Sequence, residues 1–240
     1  MMPTLAINWT IVGMAAASGM ILLLRDWRVT VPALLASYLC VVLFLAQQQF
    51  ITPDLVFGAR TLSTTVVVKL VTGLAASAIL AITAITFSRE YNLEELDEFS
   101  LTELRRAARR AQRQRASEPF RISEYIVPFW ALVLVALASL ALPRLYPIGS
   151  QEVDFAWYWL GLTGLFTIVI AGDMLKIGLG LLLIVSSVDL VYTAVASTVQ
   201  VFPLALLSLT TIVLALSVAY LSGLLYSRLK TLDLAELYQR

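Results

Sequence analysis

The 240-residue sequence contains no histidine and only one cysteine, Cys40. Histidine is the commonest metal ligand and the usual proton shuttle near neutral pH, so this chain lacks the side chain that ordinarily serves either role. A single cysteine in an apolar stretch excludes a disulfide framework and a cysteine metal site. The sequence also lacks a C-x-x-C pair, a phosphate-binding P-loop and a G-x-G-x-x-G fingerprint. We therefore expect no bound metal, no redox cofactor and no catalytic constellation in this chain.

Charged residues are also few, at 14% of the chain, and 17 basic and 16 acidic residues leave a net charge of +1. Hydrophobic residues make up 60% and the mean hydropathy is +0.86, whereas soluble domains are about 45–50% apolar. This composition predicts an integral membrane protein in contact with the lipid bilayer. Nucleic-acid binding is not expected, because the one arginine-rich segment has no aromatic residues interleaved with its arginines.

Seven segments are long and apolar enough to cross a bilayer, which takes roughly 20 apolar residues. Backbone groups in lipid must be satisfied within the segment, so we predict helices and an all-α polytopic membrane fold. The predicted spans are Leu5–Leu24, Thr30–Phe50, Thr61–Phe87, Ile126–Leu145, Phe155–Gly172, Ile177–Val199 and Val201–Tyr226. The first lacks a basic n-region and a small-residue cleavage site, which favours a retained span over a cleaved signal peptide.

The basic residues outside the spans predict the orientation. Fourteen fall on one side, and only Arg60 and Arg144 fall on the other. The fourteen are Arg25, Arg28, Arg89, Arg105, Arg106, Arg109, Arg110, Arg113, Arg115, Arg121, Lys176, Arg228, Lys230 and Arg240. Because lysine and arginine are enriched in cytoplasmic loops, the N-terminus is predicted to lie outside and the C-terminus in the cytoplasm.

The spans and loops divide the chain into four predicted parts. Residues 1–87 form a three-helix membrane part, residues 88–125 a charged cytoplasmic loop, residues 126–227 a four-helix membrane part, and residues 228–240 a cytoplasmic tail. In the loop, a capping-box pattern predicts a helix over Leu101–Ala116. This helix either lies on the anionic inner leaflet, docks a partner subunit, or belongs to a charged hairpin with no role beyond topology.

Two ionisable residues are predicted to lie deep in the membrane, Lys69 in the third span and Asp189 in the sixth. Such a residue costs on the order of 2.5–3.5 kcal/mol on insertion scales, so it is a default functional candidate. At 1.5 Å per residue, Lys69 lies roughly 13 Å and Asp189 roughly 16 Å from the outer end of its helix. We hypothesise that the two face the interior near the midplane and pair or share a water path. The alternatives are two separate charges satisfied by local carbonyls, or a Lys69 side chain that extends outward to the interface.

A second charged pair, Asp173 and Lys176, stands at the cytoplasmic start of the sixth span. Asp173 suits the N-terminus of a helix, which attracts negative charge. The pair is either an interface anchor or a site of proton uptake. Gly178 and Gly180 follow, and their spacing favours close helix packing over a ligand-binding role.

The order of these motifs resembles a known family. The run D-M-L-K-I-G-L-G-L-L-L, which begins at Asp173, is followed by an apolar span and by the T-L-D turn of Thr231, Leu232 and Asp233. This arrangement is similar to the K-type subunit of respiratory complex I and to the C-type subunit of multisubunit sodium/proton antiporters.

Over the whole chain apart from Ser88–Ser123, the sequence resembles component E of hydrogenase-4. The lysine that this family embeds in its third span is matched by Lys69 in V-V-V-K-L, and Lys176 and Gly180 stand where the family has a basic residue and a glycine. The resemblance implies seven spans, of which the last three are K-like, in the cell inner membrane.

The sequence departs from this family at its central carboxylate. The family places a glutamate in the middle of the sixth span, where this chain has Val185. Asp189 stands one helical turn further on, on the same face, where the hydrogenase-4 relative has a histidine. The seventh span has no acidic residue, and Thr210 is the polar residue nearest to the position where relatives carry one.

The resemblance implies a non-catalytic membrane subunit of a complex-I-like ion-translocating oxidoreductase or membrane-bound hydrogenase. Such a subunit bridges redox and antiporter-like subunits, and its proton-path candidates are Asp189, Lys69, Lys176 and Asp173. The alternative is a degenerate K-like scaffold or assembly protein without proton transfer. An autonomous carrier is disfavoured, because the sequence shows neither inverted repeats nor several polar groups at the midplane.

Overall fold

The computed structural model describes residues 8–24, 26–47, 55–57, 60–62, 64–94, 122–196 and 201–229. This part of the chain contains seven helices and one short two-stranded hairpin. The elements are α1 (Trp9–Leu23), α2 (Trp27–Gln47), β1 (Leu55–Phe57), β2 (Arg60–Leu62), α3 (Thr64–Glu94), α4 (Ile122–Leu145), α5 (Gln151–Ile170), α6 (Met174–Val195) and α7 (Val201–Leu229). Six of the helices are long and apolar enough to cross a membrane. The predicted all-α polytopic membrane fold is thereby confirmed.

The first helix is shorter than the other six. It has 15 residues, which is about 22 Å at 1.5 Å per residue. The side chain of Asn8 accepts a hydrogen bond from the backbone N–H of Thr10, so Asn8 caps the helix and Trp9 begins it. Within the described residues, the helix Trp9–Leu23 is therefore shorter than the predicted span Leu5–Leu24.

Local hydrogen bonding also moves the ends of the third and sixth predicted spans. Thr61 was expected to begin the third, but it pairs with Val56 across the antiparallel hairpin, and α3 starts at Thr64. At its other end α3 continues to Glu94, past the predicted end at Phe87. The sixth span starts earlier than predicted, because Asp173 caps it, and it ends at Val195.

The helices of the two predicted membrane parts pack against each other in one bundle. The closest-packed neighbours are α5 with α6, α1 with α2, and α3 with α7, and α1 also lies against α5. A buried hydrogen bond from Trp159 Nε1 to Ser18 Oγ, 2.7 Å long, joins α5 to α1. The predicted loop helix Leu101–Ala116 and the T-L-D turn lie outside the described residues.

The tight contact between α5 and α6 depends on two glycines that face each other. A Cβ atom at Gly164 would lie 2.6 Å from the carbonyl oxygen of Gly180, and a Cβ atom at Gly180 would lie 2.7 Å from that of Gly164. Gly178 lies on a different neighbour, Val218 of α7, whose side chain occupies the space that a Cβ atom would need. The predicted close packing at Gly178 and Gly180 is confirmed.

This contact predicts that Gly164→Ala destabilises the bundle by roughly 1–3 kcal/mol, the usual cost of overpacking. The matched control is Gly223→Ala in α7, where no atom of another described helix lies within 4 Å of the added methyl group. That change should be neutral or slightly stabilising, because alanine favours a helix over glycine. Unfolding of the purified protein in mixed detergent micelles measures both variants. Equal stabilities for the two would contradict the glycine contact.

Candidate functional site

Several buried serine and threonine side chains of this bundle are satisfied within their own helix. Thr72 Oγ1 donates to the carbonyl of Val68 at 2.7 Å, and Thr211 Oγ1 donates to that of Leu207 at 2.9 Å. This return bond to residue i−4 is common for serine and threonine in apolar helices. Hydroxyl groups of this kind do not by themselves indicate a site.

Lys69 and Asp189 differ, because they join two helices. Lys69 Nζ forms an ion pair with Asp189 Oδ2 and also lies 3.4 Å from the backbone carbonyl oxygen of Asp189. The Lys69 side chain is only 5% exposed and that of Asp189 is 21% exposed. Since α3 packs chiefly against α2 and α7, the pair ties α6 to a helix that it otherwise barely contacts. The hypothesised pairing is confirmed, while a role in proton transfer stays a prediction.

The pair lies nearer to the helix ends than the sequence suggested. Lys69 is five residues past Thr64, the start of α3, which is roughly 8 Å. Asp189 is six residues before Val195, the end of α6, which is roughly 9 Å. The two depths still agree, but both helices end closer to the pair than the predicted spans did. Measured from these ends, the pair lies about one and a half turns deep.

A small cavity of about 20 Å³ adjoins the pair where α2, α3, α6 and α7 meet. Its polar lining includes Tyr38, Ser186 and Thr211 in addition to the pair itself. Two buried atoms there, the Tyr38 hydroxyl and Asp189 Oδ1, have no hydrogen-bond partner in the described part of the chain. The hydroxyl faces Ser186 without reaching hydrogen-bond geometry.

Sequence reasoning did not single out Tyr38 or Ser186. Ser186 lies three residues before Asp189, on the same face of the helix, so helical spacing could have suggested it. Tyr38 gave no such signal, because nothing in the sequence shows that α2 adjoins the pair. Thr210 was the predicted polar candidate of α7, but it is exposed and bonds back to Leu206, and its neighbour Thr211 lines the cavity.

Completely buried apolar side chains lie beyond the cavity on each of the four helices. On each of the four helices, a completely buried apolar residue lies one helical turn away from the cavity, on the side where α2 and α6 begin. We call these residues the apolar layer: Leu34, Ala76, Leu183 and Ala215. Val185, which stands at the family's glutamate position, adds no polar group. The described helices therefore offer no charged relay through this layer.

Lys176 and Asp173 form a separate group at the opposite end of α6. Lys176 Nζ donates to the carbonyls of Leu22 at 3.1 Å and Leu24 at 3.3 Å, so it satisfies acceptors at the C-terminal end of α1. Asp173 Oδ1 accepts from the backbone N–H of Lys176 at 2.6 Å and caps α6. Thirteen residues, roughly 20 Å of helix, separate Lys176 from Asp189. These contacts join the start of α6 to the end of α1, and both alternatives, an interface anchor and a site of proton uptake, stay predictions.

Within the described residues, no group of three or more cysteine, aspartate or glutamate side chains could hold a metal ion. Comparison with protein families, with curated proteins and with solved structures finds no match to this chain. The resemblance to component E of hydrogenase-4 therefore rests on the motifs of the sequence and stays a prediction.

The ion pair predicts strong coupling between Lys69→Met and Asp189→Asn. Each single change leaves one buried polar partner uncompensated, whereas the double change removes both charges. The double variant should be more stable than the sum of the single effects predicts, by roughly 0.5–3 kcal/mol. Unfolding in mixed micelles measures this double-mutant cycle.

The matched control combines Lys69→Met with Asp154→Asn. Asp154 is also a buried carboxylate, but it accepts from the backbone N–H groups of Ile148 and Gly149. This second cycle should be additive. Additive effects in the Lys69 and Asp189 cycle would show that the pair does not form in the membrane.

Proposed function

We propose that this chain is a membrane subunit of a complex-I-like assembly, either an ion-translocating oxidoreductase or a membrane-bound hydrogenase. In that assembly it bridges redox subunits and antiporter-like subunits and contributes Asp189 and Lys69 to a proton path. The motif resemblance supplies the class of assembly. The observation that carries the proposal is the buried ion pair of Lys69 and Asp189 beside a polar cavity.

A buried ion pair of this kind couples protonation to structure. A proton on Asp189 removes the attraction for the Lys69 ammonium group and leaves a buried cation that must find another partner. The pair also spans two helices with few other mutual contacts, so a change at Asp189 acts on the position of α3 relative to α6. A subunit that transmits proton movement between neighbours requires such a coupling.

The surface of the bundle is compatible with a place inside a larger assembly. Only 22% of the apolar window of α4 is buried within the chain, and the same fraction holds for α7. Phe202 and Tyr220 on α7 are largely exposed. These two helices therefore offer apolar faces that lipid or neighbouring membrane subunits can cover.

The apolar layer favours a second candidate, a K-like scaffold or assembly protein without proton transfer. Such a protein would retain the helix packing and the ion pair as structural features. The carrier alternative remains disfavoured, because the long helices are continuous within the described ranges, whereas carriers typically bind substrate at broken helices.

The proposal predicts that gentle extraction of a tagged copy from native membrane brings antiporter-like and redox subunits along. Mass spectrometry of the purified material identifies them. An unrelated polytopic membrane protein with the same tag, expressed at the same level, controls for chance capture. Recovery of the chain alone, or with the same proteins as the control, would overturn the proposed assembly.

In the intact assembly, Asp189→Asn should lower proton translocation severalfold and spare electron transfer, because the substitution removes a proton-binding group without touching a redox centre. Proton uptake and electron transfer are measured together in proteoliposomes. Asp154→Asn is the control, since it alters another buried carboxylate that backbone amides hold. Unchanged pumping with Asp189→Asn would make the pair structural and favour the scaffold.

A further inference from the structure

We propose that Tyr38 and Asp189 bind one water molecule in the cavity beside the ion pair. The site is a property of this chain alone. Its use, as the route by which a proton reaches Asp189 while Lys69 stays in place, rests on the proposed function.

The cavity has the size for one water. Its volume is about 20 Å³, and a cavity needs at least about 10–15 Å³ by this measure to hold a water molecule. A buried water also needs two to four polar partners, because a cavity lined only by apolar groups stays empty of water.

The lining of the cavity supplies polar partners. Asp189 Oδ2 is engaged by Lys69, which leaves Oδ1 as a buried acceptor without a partner in the described residues. The Tyr38 hydroxyl is a buried donor that also has no hydrogen-bond partner in the described residues. A buried polar group that stays unpaired destabilises the folded state. A water that accepts from Tyr38 and donates to Oδ1 satisfies both.

A third hydrogen bond is available from α7. The hydroxyl proton of Thr211 is committed to the carbonyl of Leu207, so its oxygen is left to accept. The second O–H of the water can therefore point towards Thr211, which lines the cavity. Three hydrogen bonds are typical of a buried water.

The charges around the cavity disfavour other small occupants. The Lys69 ammonium group lies on the cavity wall and repels a metal cation, which would also need more oxygen ligands than one free carboxylate oxygen supplies. Asp189 repels an anion. The bound water can give one of its protons to Oδ1 while it accepts another along its hydrogen bonds, so it remains a neutral water and the same site serves proton transfer. The water thus gives Asp189 a hydrogen-bond neighbour other than Lys69.

Solid-state NMR of the purified chain in lipid nanodiscs tests the site. With ¹³C-labelled tyrosine and aspartate, magnetisation transferred from water should reach Tyr38 Cζ and Asp189 Cγ. The signals are assigned by their disappearance in Tyr38→Phe and Asp189→Asn. In Tyr38→Phe, the transfer to Asp189 Cγ should fall severalfold, because the water loses its donor.

Tyr220→Phe is the matched control, since it removes the hydroxyl of an exposed tyrosine of α7 and should leave the transfer to Asp189 unchanged. Unaltered chemical shifts of the other labelled residues verify folding. Absence of transfer to either atom in the unaltered chain overturns the site without use of any variant. Unchanged transfer to Asp189 in Tyr38→Phe overturns the role of Tyr38. Both results are independent of the extraction experiment, so failure of the water site and failure of the proposed assembly are distinguishable.

Discussion

A charge in an apolar helix bundle must have a partner within reach, because the cost of leaving it alone exceeds what the packing of one helix can offset. Both buried lysines of the described residues obey that constraint by reaching to another helix. Lys69 of α3 engages Asp189 of α6, and Lys176 of α6 engages the last carbonyls of α1. The constraint therefore fixes α6 near both of its ends, with a different helix at each.

Between these two charged contacts, α6 is held by close packing against neighbouring helices rather than by ion pairs. Gly164 and Gly180 let the backbones of α5 and α6 approach to a distance that a side chain would prevent, and Gly178 receives Val218 of α7. Close approach of small residues is the main source of helix association where lipid removes the hydrophobic drive. The polar cavity thus borders a helix that close backbone contacts hold against both α5 and α7.

The sequence was sufficient for the helical membrane fold and for the close packing at Gly178 and Gly180, because each depends on composition or spacing along one helix. It offered the Lys69 and Asp189 pair as one of several hypotheses from their similar depths, but the pairing itself depends on which helices lie side by side. It was insufficient where the outcome depends on which helices are neighbours. Tyr38 joins the site only because α2 lies beside α3 and α6, and Thr211 replaces Thr210 because of how α7 is rotated. The observed helix ends also differ from the predicted ones, because local hydrogen bonds and not hydropathy determine where a helix begins. The hairpin delays the start of α3, and the cap at Asp173 brings forward the start of α6.

The apolar layer also bears on where the ion pair meets solvent. Leu34, Ala76, Leu183 and Ala215 are completely buried one helical turn from the cavity, on the side where α2 and α6 begin. Asp189 keeps 21% of its side-chain surface exposed and lies six residues before Val195, the end of α6. We therefore expect protons to exchange with the pair from the end of α6 at Val195 rather than from its start at Met174.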